Sequence, residues 1–438
     1  AGSIAGGTLI KTGLSKQTLT NINSYSGQTS ILNGTLALSG LGSIFNSSQL
    51  NISDSGTFSI EEVTSSALIG RLSGSGQIKI GSKLLTINQS GGDTTFGGTF
   101  VGTGNVIKAG SDTLTLTAPT SHTGAIAITA GTLTIESSDT LASCGSVAIT
   151  GGTLNAASAG ANITNLLGTG GFLEIGSNTL NLEVTELNPN FSGRITGLGG
   201  NMTLRAGTNT MGLGGVNTFT GQTQLESGTL AMTLAGSLAS SLNLSEGTTF
   251  TISETTLGSS IGALSGEGNI ELGNKILSIS QSSDSVFSGS ISGSGSLLKR
   301  GTSDLRLDGS STFEGGVTLA AGELSVASDR ALGTGSITIE PSTILEIENN
   351  VSVSNRVVLS RESTFKVDGG SASLLGQISG SGTLNKTGEG LLTLEGEGLF
   401  TGTTNILAGA LTINNTFASD INTNANTILG GNLDTSGN

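Results

Sequence analysis

The sequence predicts an all-β fold: a right-handed parallel β-helix, a three-sided solenoid drawn out into an elongated rod. Three observations carry this. Gly makes up 71 of the 438 residues, against three Pro, one Tyr and no Trp. Apolar residues alternate with polar or small ones in short runs, as in Leu114-Thr-Leu116, Leu133-Thr-Ile135, Leu392-Thr-Leu394 and Leu411-Thr-Ile413. The whole pattern then returns at a spacing near 95 residues.

The strands follow from the alternation. A period of two puts every second side chain on one face, so one face is buried and the other wet. The runs are three to five residues long and are separated by Gly, Asn, Asp and Ser, which accept positive φ and make tight turns. No amphipathic stretch of helical period survives. Charged residues are 11% of the chain, far below the roughly 25% of ordinary globular domains. Disorder usually goes with high net charge and few Leu, Ile or Val, which does not describe this chain. Collagen needs Gly at every third position and abundant Pro, and neither is present.

The repeat is read from five basic residues, Lys11, Lys108, Arg205, Lys299 and Lys386, spaced 97, 97, 94 and 87 residues apart. Two residues after each is Gly, from Gly13 to Gly388, and eight after is Leu, from Leu19 to Leu394. Fourteen after is a ring: Tyr25, His122, Phe219, Phe313 and Phe400. Gly follows at sixteen and at twenty-three, an aliphatic residue at twenty, Leu at twenty-five, and an aliphatic residue or Met at twenty-seven. Upstream segments agree too: 69–89 and 261–281 match closely, and Phe96–Gly104 corresponds to Phe287–Gly295.

A solenoid fits this better than stacked hairpins. Hairpin sheets leave edges that proteins guard with charge and Pro, both scarce here. Long additive repeats are the mark of quasi-one-dimensional proteins. The loss of ten residues between the longest and shortest spacing reads as loops leaving a coil. A unit of 95 residues divides into about five coils of ~19 residues, and ~22 coils at ~4.8 Å would make a rod roughly 100 Å long. Residues 1–438 are therefore expected to form one continuous segment, right-handed because parallel crossovers are. The constant basic residue is expected at a coil corner, its stem over apolar surface and its head in water. The constant ring is expected to plug a corner beside Gly, with His122 merely filling that slot.

Charge narrows the partners. Lys plus Arg is 17 and Asp plus Glu is 31, giving 17 − 31 = −14. Such a surface repels phosphate backbones, so no nucleic acid is expected, and anionic membranes are disfavoured. One cysteine, Cys144, excludes an intrachain disulfide, and with His122 it is too little for a zinc site. No run of 18 apolar residues exists, so this chain carries no transmembrane segment. The start, AGSIAGG, lacks the features of a signal peptide and reads as a mature or trimmed piece.

Chemistry-bearing motifs are weak. Ser53-Asp54-Ser55-Gly56-Thr57 is the nearest string to a serine-protease nucleophile, but its only base would be His122, which the repeat already explains. Glu346 and Glu348, flanked by Leu345 and Ile347, face outward together and could reach the separation of a glycosidase pair. Glu61-Glu62 and Glu340 are further carboxylates. A solvated strand face explains all of these. Gly91-Gly-Asp-Thr fails the calcium nonapeptide, and no Walker or EF-hand loop occurs. A Thr-x-Thr ice-binding ladder breaks at Gly212/Gly214, Arg306/Asp308 and Thr393/Glu395. No catalytic, cofactor-binding or metal-ligating residue is assigned, no cofactor is expected, and no ligand-contacting residue is chosen.

With these residues laid out, the pattern resembles the autotransporter-associated β-strand repeat. Gly380-Ser-Gly382-Thr-Leu384-Asn-Lys386-Thr-Gly388, continued by Leu394, Phe400, Gly402, Thr404, Ile406, Gly409, Leu411 and Ile413, matches it almost throughout. Matching segments lie near 5–38, 102–135, 197–232, 293–326 and 380–413, and the copy around Arg205 departs most. The resemblance implies a passenger segment of a type V secreted protein of a Gram-negative bacterium, displayed outside the cell by a C-terminal barrel absent from this chain. The expected role is non-enzymatic, as an adhesin or self-association rod whose partners are its own copies or a surface glycan or protein. The alternatives are a carbohydrate-active enzyme on the same scaffold, marked by three or more stacked charged side chains in a groove, and a passive stalk.

Overall fold

The computed structural model describes residues 3–415 and 419–431. They form two compact units, Ala1–Gly221 and Gln222–Asn438, each a parallel β-solenoid. Among the described residues there is no helix, and every strand pair with a stated register is parallel.

In the first unit one turn visits three sheets. Thr94–Phe96, Thr99–Gly102 and Val106–Ala109 each lie on a different side, and Thr113–Leu116 then returns to the side of Thr94–Phe96. Its interior is an aliphatic ladder in register: Leu114, Leu133, Leu154, Leu173 and Ile195, each 1% exposed or less. Between them Thr115, Thr134 and Asn155 point outward in a second ladder. Each buried Leu or Ile contributes about 2 kcal/mol, and stacking seals every rung against the next.

The second unit follows the same plan. Leu305, Leu324, Leu345 and Phe365 stack in its interior, followed in the same column by Lys386 and Ile406. A second side runs from Ser259–Ile261 to Gly398–Phe400, and a third from Ser352–Val353 to Ile428–Gly431.

Register corrects the arithmetic of the repeat. Turn length is not constant: Leu114 stacks on Leu133, whereas Leu50 stacks on Leu72. From Lys11 the column runs through Ile31, Ile52 and Gly74 to Phe96, four turns, and Lys108 lies two sides further on. From Lys299 it runs through Leu319, Ile339 and Leu359 to Gly380, again four turns, and Lys386 lies one side further on. A spacing of 97 is thus four turns and two sides, and a spacing of 87 is four turns and one side. Of the ten missing residues six are one side of a coil and four come from shorter turns, and the repeat is not five whole coils.

The ring slots are filled as expected: Tyr25, His122, Phe219, Phe313 and Phe400 are each 1% exposed or less. The Gly two residues later exists for space. A Cβ on Gly402 would lie 1.6 Å from the carbonyl oxygen of Gly382, on the preceding turn.

Two expectations fail. Lys108, Lys299 and Lys386 are at most 1% exposed, so their ammonium groups are not in water. Arg205 does not share their place. Leu204, paired with Leu182, occupies the inward position, while Arg205, paired with Glu183, is exposed. In a strand a slip of one residue exchanges faces. Strand length also departs locally: Asn201–Leu213 and Gln222–Leu234 run unbroken for 13 residues each.

Candidate functional site

The densest set of charged side chains lies on the outer face of the second unit. Arg306, Ser325, Glu346 and Lys366 come from four successive strands and stand in one outward column. Beside it runs the column Asp304, Glu323, Ile344 and Thr364. The alternation that buries Leu305, Leu324, Leu345 and Phe365 turns these residues outward.

The charges answer one another. The Lys366 ammonium lies 3.3 Å from Glu323, 3.3 Å from Glu346 and 2.9 Å from Asp368. Arg306 pairs with Asp308 at 2.7 Å and with Glu348. The Ser325 hydroxyl lies 2.9 Å from Asp304 and 3.1 Å from Glu346 and shares its single proton between the two carboxyls. Partial burial pushes the carboxyls of Asp304 and Glu323 above the usual range. The hydrogen bond to Asp368, with Glu346 and Glu323 close by, holds Lys366 protonated well above its usual range. The arrangement is a polar surface knitted together by its own ion pairs.

Beyond it the same side continues as an amide ladder. Asn385, Asn405 and Asn422 stand in register. Asn405 donates its side-chain N–H to Oδ1 of Asn385, and Asn422 to Oδ1 of Asn405, both at 2.9 Å. Asn385 donates to Glu362 at 2.8 Å. Among the described residues no group of three or more His, Cys, Asp or Glu is placed to hold a metal ion.

The sequence singled out Glu346 and Glu348, and the structure does turn both outward. It ties each to a cation, Glu346 to Lys366 and Glu348 to Arg306. Arg306, Glu346 and Lys366 do stack in one outward column, which is half of the mark expected of an enzyme, a charged stack lining a groove. Asp304, Arg306, Glu323 and Lys366 lie a turn or more from Glu346, so no local motif joins them to it. The turn length links them in two columns, 306, 325, 346, 366 and 304, 323.

The other candidates are dispersed or closed. Glu62 pairs with Lys16 at 2.5 Å, and Glu61 accepts from Ser59 at 3.2 Å. The side chain of Ser53 donates to the Leu32 carbonyl at 2.6 Å, and Asp54 accepts from Ser75. Thr57 lies three rungs from the strand of His122, roughly 14 Å at the rung spacing, beyond proton-transfer reach. His122 is fully buried, with Phe100 at 5.9 Å and the Cys144 sulfur 3.7 Å from Nε2. Among the described residues its Nδ1 has no hydrogen-bond partner. Burial lowers its pKa to about 4 and raises that of the Cys144 thiol to about 11. A thiol so held is not a nucleophile.

Five segments, 9–38, 106–135, 200–232, 297–326 and 384–413, match the passenger-associated-transport-repeat family. Over 346 residues, 73% of this chain, the sequence is 36% identical to a protein of Brucella suis biovar 1 (strain 1330) described as the adhesin BmaC autotransporter. The matched region is 10% of that much longer relative. No solved structure matches the chain.

Proposed function

We propose that this chain, which carries the repeat of autotransporter passengers five times, is a surface-displayed passenger segment that works without catalysis, as an adhesive or self-associating surface. The observation that carries this reading is the outer face itself. Threonine and asparagine columns stand in register rung after rung, as in Thr115/Thr134 and Asn385/Asn405/Asn422. Such columns offer many weak hydrogen bonds to a glycan, a protein or a second copy, and many weak contacts add up through effective concentration. The likeness to an adhesin agrees with it. The test is to display residues 1–438 on a bacterium that neither clumps nor attaches. Faster settling, or retention on glycan- or protein-coated surfaces, is the expected result. Cells that behave like the undecorated strain would make the segment a passive stalk.

The charged stack favours a second reading, a carbohydrate-active enzyme. Against it, Glu346 is held between Ser325 and Lys366, and Glu348 by Arg306, so neither is a free general acid or base. Incubation with acidic and neutral polysaccharides distinguishes the two. Release of reducing ends or unsaturated products, abolished in Glu346→Gln, would establish the enzyme.

A further inference from the structure

Lysine is a poor choice for the inside of an aliphatic ladder, yet three of the repeat lysines are buried there. Each ammonium is met by three main-chain carbonyls, matching its three donors. Lys108 donates to Ala109 at 3.1 Å, Gly110 at 3.0 Å and Ala130 at 2.9 Å. Lys299 donates to Gly301 at 3.1 Å, Ser303 at 2.7 Å and Ala321 at 3.0 Å. Lys386 donates to Thr387 at 2.7 Å, Gly388 at 2.7 Å and Ala408 at 3.2 Å. Lys11, half-buried, reaches Gly13 and, at 3.0 Å, Asn33.

The acceptors have a fixed address. One is the carbonyl of the corner glycine two residues on. Another belongs to the same corner of the next turn: Ala130 for Lys108, Ala321 for Lys299 and Ala408 for Lys386. The residue after that second carbonyl is always glycine. Gly131, for example, has φ +61°, and a Cβ there would lie 2.4 Å from the carbonyl oxygen of Gly110. Chain direction changes at these corners. Ser296–Arg300 stops and Asp304–Leu307 begins on another side; one turn later Val317–Leu319 stops and Glu323–Val326 begins. Lys386 does the same for Leu384–Thr387 and Leu391–Leu394, then for Thr403–Ile406 and Ala410–Ile413.

The third copy is an internal control. Leu204 fills the inward slot, and Asn201–Leu213 runs unbroken through the place where the other copies stop. Gln222–Leu234, one turn later in the chain, is unbroken as well.

We propose that the recurring lysine is a two-turn corner lock: its ammonium binds the carbonyls of two successive corners, fixing where both turns break and joining one rung to the next. Because each lysine reaches forward by a full turn, the lock closes only when the following turn has docked. Docking of that turn and completion of the previous corner become one event. Burial of the ammonium lowers the pKa of Lys108, Lys299 and Lys386 to about 8.

Methionine keeps the stem and removes the ammonium, so Lys386→Met and Lys299→Met separate the lock from mere packing. Native-state hydrogen exchange is the readout. In Lys386→Met the amides of 388–391 and 407–410 are expected to exchange at least tenfold faster, with those of 317–326 unchanged. Lys299→Met should show the same at 301–304 and 320–323. Unchanged protection at both corners would overturn the lock and leave the lysine a packed stem. Should the variants fail to fold, the wild-type chain labelled with 15N-lysine still decides. Three slowly exchanging ammonium signals are expected for Lys108, Lys299 and Lys386, and their absence in the folded protein would equally overturn it.

Discussion

Glu346 and Lys366 lie directly opposite each other on adjacent parallel strands, carboxylate oxygen to ammonium 3.3 Å. The same ammonium serves Glu323 and Asp368. One cation therefore sits among three carboxylates on a partly covered face. Lys366→Met is expected to destabilise the second unit by roughly 1–3 kcal/mol, because the remaining charges are only partly hydrated. Adding Glu346→Gln should restore part of the loss, since it removes one unanswered charge. Urea unfolding of the single and double variants measures this. An unchanged midpoint in Lys366→Met would show that the pairs are solvated and carry no energy.

Close approach of successive turns predicts a sharp difference between two glycines of one motif. Gly402→Ala puts a methyl group 1.6 Å from a backbone oxygen of the preceding turn, whereas at Gly13 a Cβ meets nothing within 4 Å. Backbone has to move in the first case, at a cost of roughly 3 kcal/mol or more. Gly402→Ala should lose soluble yield and shift denaturation markedly; Gly13→Ala should match the wild type. Equal stability of the two variants would contradict the spacing of the turns.

His122 makes the first unit sensitive to acid. Its folded pKa of about 4 lies below the ordinary value of 6.5, so between those values the unfolded chain takes up a proton that the folded chain refuses. Stability from this group is complete above pH 6.5 and is lost as the pH falls toward 4, on the order of 3 kcal/mol in all. Phe fills the same slot in three other copies, at 219, 313 and 400. His122→Phe should fold and should flatten the stability profile between pH 7 and pH 4. An unchanged profile would place the acid response elsewhere.

Much of this structure was legible in the sequence because the inner ladder is written in plain alternation. Leu114-Thr-Leu116 and Leu133-Thr-Ile135 are strands with the predicted faces. The turn length was not legible. It differs between the stacked pairs Leu114/Leu133 and Leu50/Leu72, and a repeat of fractional turns hides it. The slip at Arg205 has the same root: matching by charge type aligned it with lysine, while the face pattern assigns the slot to Leu204. Burial of the lysines is not legible because a charged head normally stays in water, and only the carbonyls of its own corner and of the following turn reverse that. The outer stack is not legible because Arg306, Glu346 and Lys366 are neighbours only through the register of successive turns.

Cross-linking across adjacent turns tests the stacked, in-register parallel rungs most directly. Thr115 and Thr134 are register partners in the first unit, and Thr318 and Thr338 in the second. Partners on neighbouring strands have Cα atoms ~4.8 Å apart, within disulfide range, while a two-residue offset puts them ~8 Å apart and out of range. Paired cysteines at 115/134 and at 318/338 should oxidise to a disulfide in the folded protein, and the offset pair 115/132 should not. Efficient closure of the offset pair, or none in either register pair, would contradict the solenoid.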